Sequence, residues 1–134
     1  MKDKRVVLDT NLWVSFLISN RLKELDLLLK IEFITLVFSE ELLGEFLKVS
    51  HRPKFKKFFG ATDIEALLRQ IHTFGELIKV TSNVDQCRDQ KDNFLLNLAI
   101  DGRADFLITG DADLSVLGKI NETRIISWAE CVLK

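Results

Sequence analysis

The sequence predicts a three-layer α/β/α sandwich with a central, mostly parallel five-stranded sheet. Short apolar runs such as residues 6–8 alternate along the chain with longer segments whose apolar residues recur at helical spacing. Residues that favour helix N-termini follow two of these runs, Asp9 after the first and Ser39 after the second. Strands that alternate with helices form right-handed βαβ units, whose parallel sheets are covered on both faces. A length of 134 residues with no repeat or linker fits a single domain over residues 1–134.

The predicted elements alternate in type along the chain. Strands are predicted at residues 6–8, 33–37, 77–80, 106–109 and 124–126. Helices are predicted at residues 12–20, 22–30, from 41 towards Pro53, 63–74, 92–101, a short one after 113, and 128–133. Pro53 is the only proline, and it must interrupt any helix that precedes it.

Composition excludes several classes of function. Lys and Arg number 19 against 20 Asp and Glu, so a polyanionic substrate would have to be held by a local basic patch or by bound cations. Cys87 and Cys131 are too few and too far apart for a disulfide framework or a zinc site, and we expect two reduced core thiols. No apolar run is long enough for a signal-peptide core or a membrane span, so we expect a cytoplasmic protein without membrane contact.

Acidic residues follow two of the predicted strands directly. Asp9 ends the first strand and Asp111 the fourth, and parallel strands bring their carboxyl ends to one edge of the sheet. Asp105 precedes its strand and is expected at the opposite edge. Asp113 either joins the acids at the carboxyl edge or interacts favourably with the dipole of the following helix. Asp9 itself is an acceptable helix cap, and this alternative stays open.

Helical phase selects two further acids. In the helix after Ser39, Glu45 lies at the border of the apolar arc, whereas Glu41 points away from it and is expected to be solvated. In the helix that starts near Asp92, that residue falls inside the apolar arc. A carboxylate there either caps the helix or pairs with a cation. The opposite side of this helix carries Asn93, Asn97 and Asp101.

Acids gathered at one edge repel one another unless they are protonated or neutralised by a cation. Mg²⁺ and Mn²⁺ prefer oxygen ligands, and the chemistry that they support with such ligands is phosphoryl transfer. No nucleophilic triad is visible, since His51 and His72 have no neighbours typical of a site and are expected at the surface. The acids therefore favour a metal-dependent hydrolase.

Several segments, in order over essentially the whole chain, resemble the PIN domain, and most closely the stand-alone toxin components of the VapC type. They are Val7-Leu8-Asp9-Thr10-Asn11, Glu45 within its helix, Arg52-Pro53-Lys54-Phe55, Asp89-Gln90-Lys91-Asp92-Asn93, and the segment from Ala104 to Asp111. One departure is Gln90, where this group usually has proline, and it affects the expected position of Asp92.

The resemblance implies a Mg²⁺- or Mn²⁺-dependent endoribonuclease that acts on RNA, forms a homodimer and is blocked by a separate antitoxin protein. It implies metal binding by Asp9, Asp92 and Asp111, direct or water-mediated metal binding by Glu45, an accessory role for Asp113, and orientation of the carboxylates by Asn11 and Thr109.

A basic stretch interleaved with phenylalanines extends from His51 to Lys57. Its cations, Arg52, Lys54, Lys56 and Lys57, are candidate contacts to the RNA backbone, and its aromatic rings are candidates for stacking on bases. The alternative is that the phenylalanines pack inward and the lysines are solvated.

Two other classes of protein compete with the nuclease. One is a PIN fold that binds RNA or protein without turnover, although an intact set of acids argues against it. The other is a haloacid dehalogenase-type phosphatase or a phospho-receiver domain. The phosphatase motif requires a second aspartate where Asn11 stands, and the receiver requires an early acid pair that is not evident.

Overall fold

A computed structural model of the chain describes residues 3–18, 23–25, 29–30, 33–53, 61–87 and 92–132. The strands of the described residues are β1 (Arg5–Leu8), β2 (Thr35–Phe38), β3 (Gly75–Leu77), β4 (Phe106–Ile108), β5 (Lys119–Ile120) and β6 (Thr123–Ile126). The helices are α1 (Thr10–Ile18), α2 (Glu40–Ser50), α3 (Ala61–Phe74), α4 (Asn93–Asp101), α5 (Ala112–Ser115) and α6 (Trp128–Val132). Within the predicted helix at 22–30, residues 23–25 and 29–30 are helical, and the rest lies outside the described ranges.

The strands form one sheet in the order β3-β2-β1-β4-β6-β5. The pairs β1–β2, β1–β4, β2–β3 and β4–β6 are parallel, as predicted. The sheet has six strands rather than five because β5 pairs antiparallel with β6. Asn121, at φ 51°, provides the left-handed residue of the connecting turn. A two-residue strand gives no periodic signal, which explains why the sequence did not predict it.

The central strand β1 supplies both layers of the core. Val6 and Leu8 pack into one apolar cluster, with Trp13 and Phe46. Val7 packs into the cluster on the other face, where α4 lies. This alternation follows from the two-residue period of a strand, and it confirms a sheet buried on both faces.

Helix α2 begins where the sequence predicted. The Ser39 hydroxyl accepts a hydrogen bond from the Leu42 N–H at 3.1 Å, as an N-cap residue does. The third strand, predicted at 77–80, instead lies at Gly75–Leu77. Gly75 is required there, since a Cβ at this position would lie 2.2 Å from the carbonyl oxygen of Ile71.

The segment of residues 81–87 runs along the polar side of α4. The side that carries Asn93, Asn97 and Asp101 therefore faces protein, and both asparagines are buried, each 8% exposed. The placement of these residues opposite the apolar arc is confirmed, but the apolar pattern gave no sign that a second segment covers them.

The expectations for the cysteines and histidines are also met. Cys87 and Cys131 are buried in the core, and His51 and His72 are exposed. No helix within the described ranges is long and apolar enough to cross a membrane.

Candidate active site

A cleft of about 550 Å³ opens at the carboxyl edge of the sheet. It is lined by Asp9, Thr10, Asn11, Glu41, Glu45, Lys48, Arg52, Asp92, Phe94 and Asp111. The four acids selected from the sequence, Asp9, Glu45, Asp92 and Asp111, therefore come to one cleft from four separate segments. Parallel strand ends deliver Asp9 and Asp111, the middle of α2 provides Glu45, and the N-cap position of α4 provides Asp92.

Asp9 joins the sheet to the first helix. Its N–H donates to the carbonyl oxygen of Ile108 at 3.0 Å, which extends the pairing of β1 with β4. Its Oδ2 accepts a hydrogen bond from Thr109 Oγ1 at 2.6 Å. Its Oδ1 accepts the Asn11 N–H at 3.3 Å, so the carboxylate caps α1 and lines the cleft at once. Asn11 acts here through its main chain.

The electrostatics of Asp9 are unfavourable for a carboxylate. The side chain is 5% exposed, and burial raises its pKa above 3.8. Hydrogen bonds from Thr109 and from the Asn11 and Thr10 amides lower the pKa, and the negative charge of Asp111 raises it again. Burial has the larger effect, so the pKa of Asp9 is raised overall.

Thr109 connects the two strand-end acids. Besides donating to Asp9, its hydroxyl accepts the Asp111 N–H at 3.0 Å. The Oδ1 of Asp111 accepts the N–H of Asp113 at 2.7 Å, which caps α5. Asp113 is half-buried but is not among the residues that line the cleft. The Thr109 hydroxyl thus holds the carboxylate of Asp9 and the main chain of Asp111.

Two acids from helices complete the set. Glu45 is half-buried at the cleft wall, as its position at the border of the apolar arc predicts. Glu41 is exposed, as expected, but it also lines the cleft, which the helical phase did not indicate. Asp92 occupies the N-cap position of α4, yet its side chain makes no capping hydrogen bond. The capping alternative for Asp92 is therefore not what its geometry shows.

Two cations border the same cleft. Arg52, predicted as an RNA contact, lines it, and so does Lys48. Lys48 was not predicted from the sequence, although it follows Glu45 by one helical turn on α2 and hence shares its face. Lys54, Lys56 and Lys57 lie outside the described residues.

The carboxylates share the cleft without converging. Within the described parts of the chain, no three acidic, histidine or cysteine side chains stand close enough together to hold a metal ion as they are oriented. The side-chain atoms in the cleft that could bind a metal are nevertheless almost all oxygens, and oxygen ligands suit hard divalent cations.

Comparison with known proteins extends these observations. A family model described as PIN domain matches residues 5–113. An uncharacterized protein of Methanocaldococcus jannaschii, MJ1680, is 34% identical to the chain over 122 residues, which cover 88% of this chain and 77% of that protein. No solved structure matches the chain at a significant level.

Proposed function

The chain belongs to the PIN-domain family, and from this membership we propose that it is a Mg²⁺- or Mn²⁺-dependent endoribonuclease. PIN domains are generally nucleases. The observation that carries the proposal is the meeting of Asp9, Glu45, Asp92 and Asp111 in one cleft at the carboxyl edge of the sheet. Helix capping accounts for the positions of Asp9 and Asp111, but it does not account for Glu45 and Asp92 in the same cleft.

The donor set fits a divalent cation. Asp9 is buried beside the negative charge of Asp111, and both effects raise its pKa. A cation held by these carboxylates, with Glu45 and Asp92 as further ligands, would offset that cost. Since the carboxylates do not converge, side chains must turn toward one another when the cation binds. Asp113 is the weakest candidate for a ligand, because it lies outside the cleft lining.

The bound cation would activate water and stabilise charge on the phosphate during hydrolysis of the phosphodiester bond. The chain's own residues have simpler tasks. The Thr109 hydroxyl holds the Asp9 carboxylate and the main chain at Asp111. Lys48 and Arg52 lie where they can bind phosphate oxygens of the RNA backbone. Lys54, Lys56 and Lys57 extend the basic stretch in sequence and are proposed as further backbone contacts.

Cleavage of single-stranded RNA tests this proposal. We expect cleavage with Mn²⁺ or Mg²⁺, none with EDTA, and a loss of at least about 100-fold in Asp9→Asn, because losing a ligand exceeds the effect of losing a ligand's hydrogen-bond partner. Glu122→Gln, which removes one exposed charge between β5 and β6, is the control and should cleave normally. Equal cleavage by wild type and Asp9→Asn would identify a contaminating nuclease.

One observation favours a second candidate, a PIN domain that binds RNA or protein without turnover. Within the described residues the acids do not form a preassembled metal group. Calorimetric titration with Mn²⁺ separates the candidates, since a binding-only module takes up no stoichiometric cation. Binding of one or more equivalents supports the nuclease.

We further propose that the enzyme is the toxin of a cytoplasmic toxin–antitoxin pair and acts as a homodimer. The support is the resemblance of its sequence motifs to VapC-type toxins. Expression in a bacterial host should arrest growth for the wild type and not for Asp9→Asn, and co-expression of an antitoxin should relieve the arrest. Sedimentation analysis of the purified protein tests the dimer.

A further inference from the structure

The segment of residues 81–87, named here the strap, is fastened to α4 by side chains of the helix. We propose that Asn93 is a positioning residue for Asp92, because it fixes the strap on one side of Asp92 and the helix start on the other. The inference rests on the proposed function, in which Asp92 is a metal ligand.

Three side chains on one face of α4 form hydrogen bonds with the strap. Asn93, Asn97 and Asp101 recur at intervals of four residues and therefore lie above one another. Asp101 Oδ2 accepts the N–H groups of Thr81 at 2.5 Å and Ser82 at 2.8 Å, and Oδ1 accepts the Ser82 hydroxyl. These contacts hold the first end of the strap at the last turn of the helix.

Farther along the strap, Asn97 Oδ1 accepts the Val84 N–H at 2.7 Å. This contact lies one helical turn closer to Asp92 than the contacts of Asp101. Successive side chains of α4 therefore bind successive parts of the strap, and residue 87 of the strap lies nearest to the start of the helix.

Asn93, at the start of α4, binds the strap through both the oxygen and the nitrogen of its side-chain amide. Its Oδ1 accepts the N–H of Cys87 at 2.9 Å, and its Nδ2 donates to Asp85 Oδ1 at 2.7 Å. Asn93 is 8% exposed and Cys87 is 4% exposed, so the contact is shielded from water and costly to break.

Asn93 differs from Asn97 and Asp101 because it lies directly next to Asp92. The chain leaves the strap at Cys87 and re-enters the described structure at Asp92, directly before Asn93. Asn93 therefore ties together the two ends of the connection that carries Asp92. Asp92 is the N-cap residue of α4 and directly precedes Asn93, so the main chain at Asp92 lies next to the contact that Asn93 makes with the strap. A carboxylate held in place beforehand loses less freedom when it binds a cation.

Asn97 offers a matched control. It is the same residue type, it is also 8% exposed, and it also accepts a strap N–H. Asn93→Ala and Asn97→Ala should both lower the midpoint of urea unfolding in EDTA, because each leaves a strap amide without its acceptor. Only Asn93→Ala loosens the chain next to Asp92.

The decisive measurement is the Kd for Mn²⁺ by calorimetry without RNA, on wild type, Asp92→Asn, Asn93→Ala and Asn97→Ala. We expect Asn93→Ala to weaken Mn²⁺ binding roughly 10-fold or more and Asn97→Ala less than about 2-fold. Equal Kd changes in the two variants, or changes that merely follow their loss of stability, would overturn the inference and leave the proposed function intact.

Two further outcomes separate this inference from the proposed function. A wild type that binds no Mn²⁺ overturns the proposed function and this inference with it. Tight binding that is unchanged in Asp92→Asn overturns only the inference, because Asp92 is then no ligand.

If Asn93→Ala does not fold, Asp85 provides a second route from the strap side. Asp85 is exposed, and its Oδ1 accepts from Asn93. Asp85→Asn and Asp85→Ala both remove the charge, but only the alanine removes the acceptor. Weaker Mn²⁺ binding in Asp85→Ala than in Asp85→Asn supports the inference, and equal binding contradicts it.

Discussion

Asp9 should make the metal-free protein less stable as the pH rises. Burial raises the pKa of this carboxyl in the folded protein above 3.8, its value in the unfolded chain. The folded state then holds the proton more tightly than the unfolded state. The contribution of Asp9 to stability is therefore fully present below pH 3.8 and is lost as the pH rises through the folded pKa. Asp9→Asn has no proton to lose and lacks this dependence.

The magnitude follows from linkage. In the window between the two pKa values, one proton separates the folded from the unfolded state, which gives a slope of about 1.4 kcal/mol per pH unit. The unfolding free energy of wild type minus that of Asp9→Asn should thus decline with at most this slope from pH 3.8 and become constant above the folded pKa. Asparagine keeps Oδ1 as the acceptor of the Asn11 N–H, so the cap of α1 survives in the variant.

A bound cation should shift the comparison in favour of the wild type. At a concentration of 100 times its Kd, Mn²⁺ stabilises the folded state by about 2.7 kcal/mol. Wild type should gain this amount at neutral pH, and Asp9→Asn should gain far less because it lacks a ligand.

Urea unfolding at intervals from pH 3.5 to 7.5, in EDTA and again in Mn²⁺, measures both effects. Subtracting the variant from the wild type cancels the other titrating groups to the extent that they act independently of Asp9. A difference in EDTA that is constant or rises with pH would refute the claim that burial outweighs the hydrogen bonds to Asp9. Equal stabilisation of both proteins by Mn²⁺ would refute its role as a ligand.

Three further substitutions test individual contacts in the site and elsewhere in the fold. Thr10→Val should leave stability unchanged or raise it by up to about 1 kcal/mol in thermal unfolding, because the Thr10 hydroxyl is buried and has no hydrogen-bond partner among the described residues; a clear loss would reveal one. Gly75→Ala should cost about 3 kcal/mol in urea unfolding, since its Cβ would meet the Ile71 carbonyl oxygen at 2.2 Å, and an unaffected midpoint would contradict that contact. Asp101→Asn should cost about 1 kcal/mol at pH 7. Although burial alone raises the pKa of Asp101, hydrogen bonds from Ser82 and Thr81 lower it below 3.8, so this difference should vanish as the pH falls through the lowered pKa and should not grow.

The alternation of apolar runs with amphipathic segments was sufficient to predict the parallel sheet. Each buried strand of the centre is an apolar run that no surface segment would carry, and Ser39 marks the start of α2. The strands that the sequence missed or placed wrongly are those that lack a clear hydrophobic period. The β5 strand has two residues, and β3 ends at Leu77, before the apolar residues Ile78 and Val80 that suggested a later strand.

The strand-end acids were more predictable than the helical ones for a physical reason. The end of a parallel strand determines the edge at which a residue lies, so Asp9 and Asp111 had to meet, and Asp105 had to lie at the other edge. There its carboxylate accepts the Arg5 N–H at 2.9 Å. Helical phase says only which residues point away from the sheet, and so it could not show that exposed Glu41 also lines the cleft.

The same limit explains the polar side of α4. An asparagine satisfies a hydrophobic-moment argument equally well whether water or a main-chain amide meets its side chain. Asn93 and Asn97 meet main-chain amides of the strap, which itself has no period that could announce it. An amide side chain is suited to this place, because Asn93 accepts from Cys87 and donates to Asp85 at the same time, and a carboxylate could not donate to Asp85. The docking of the strap on these two asparagines therefore became visible only in the structure.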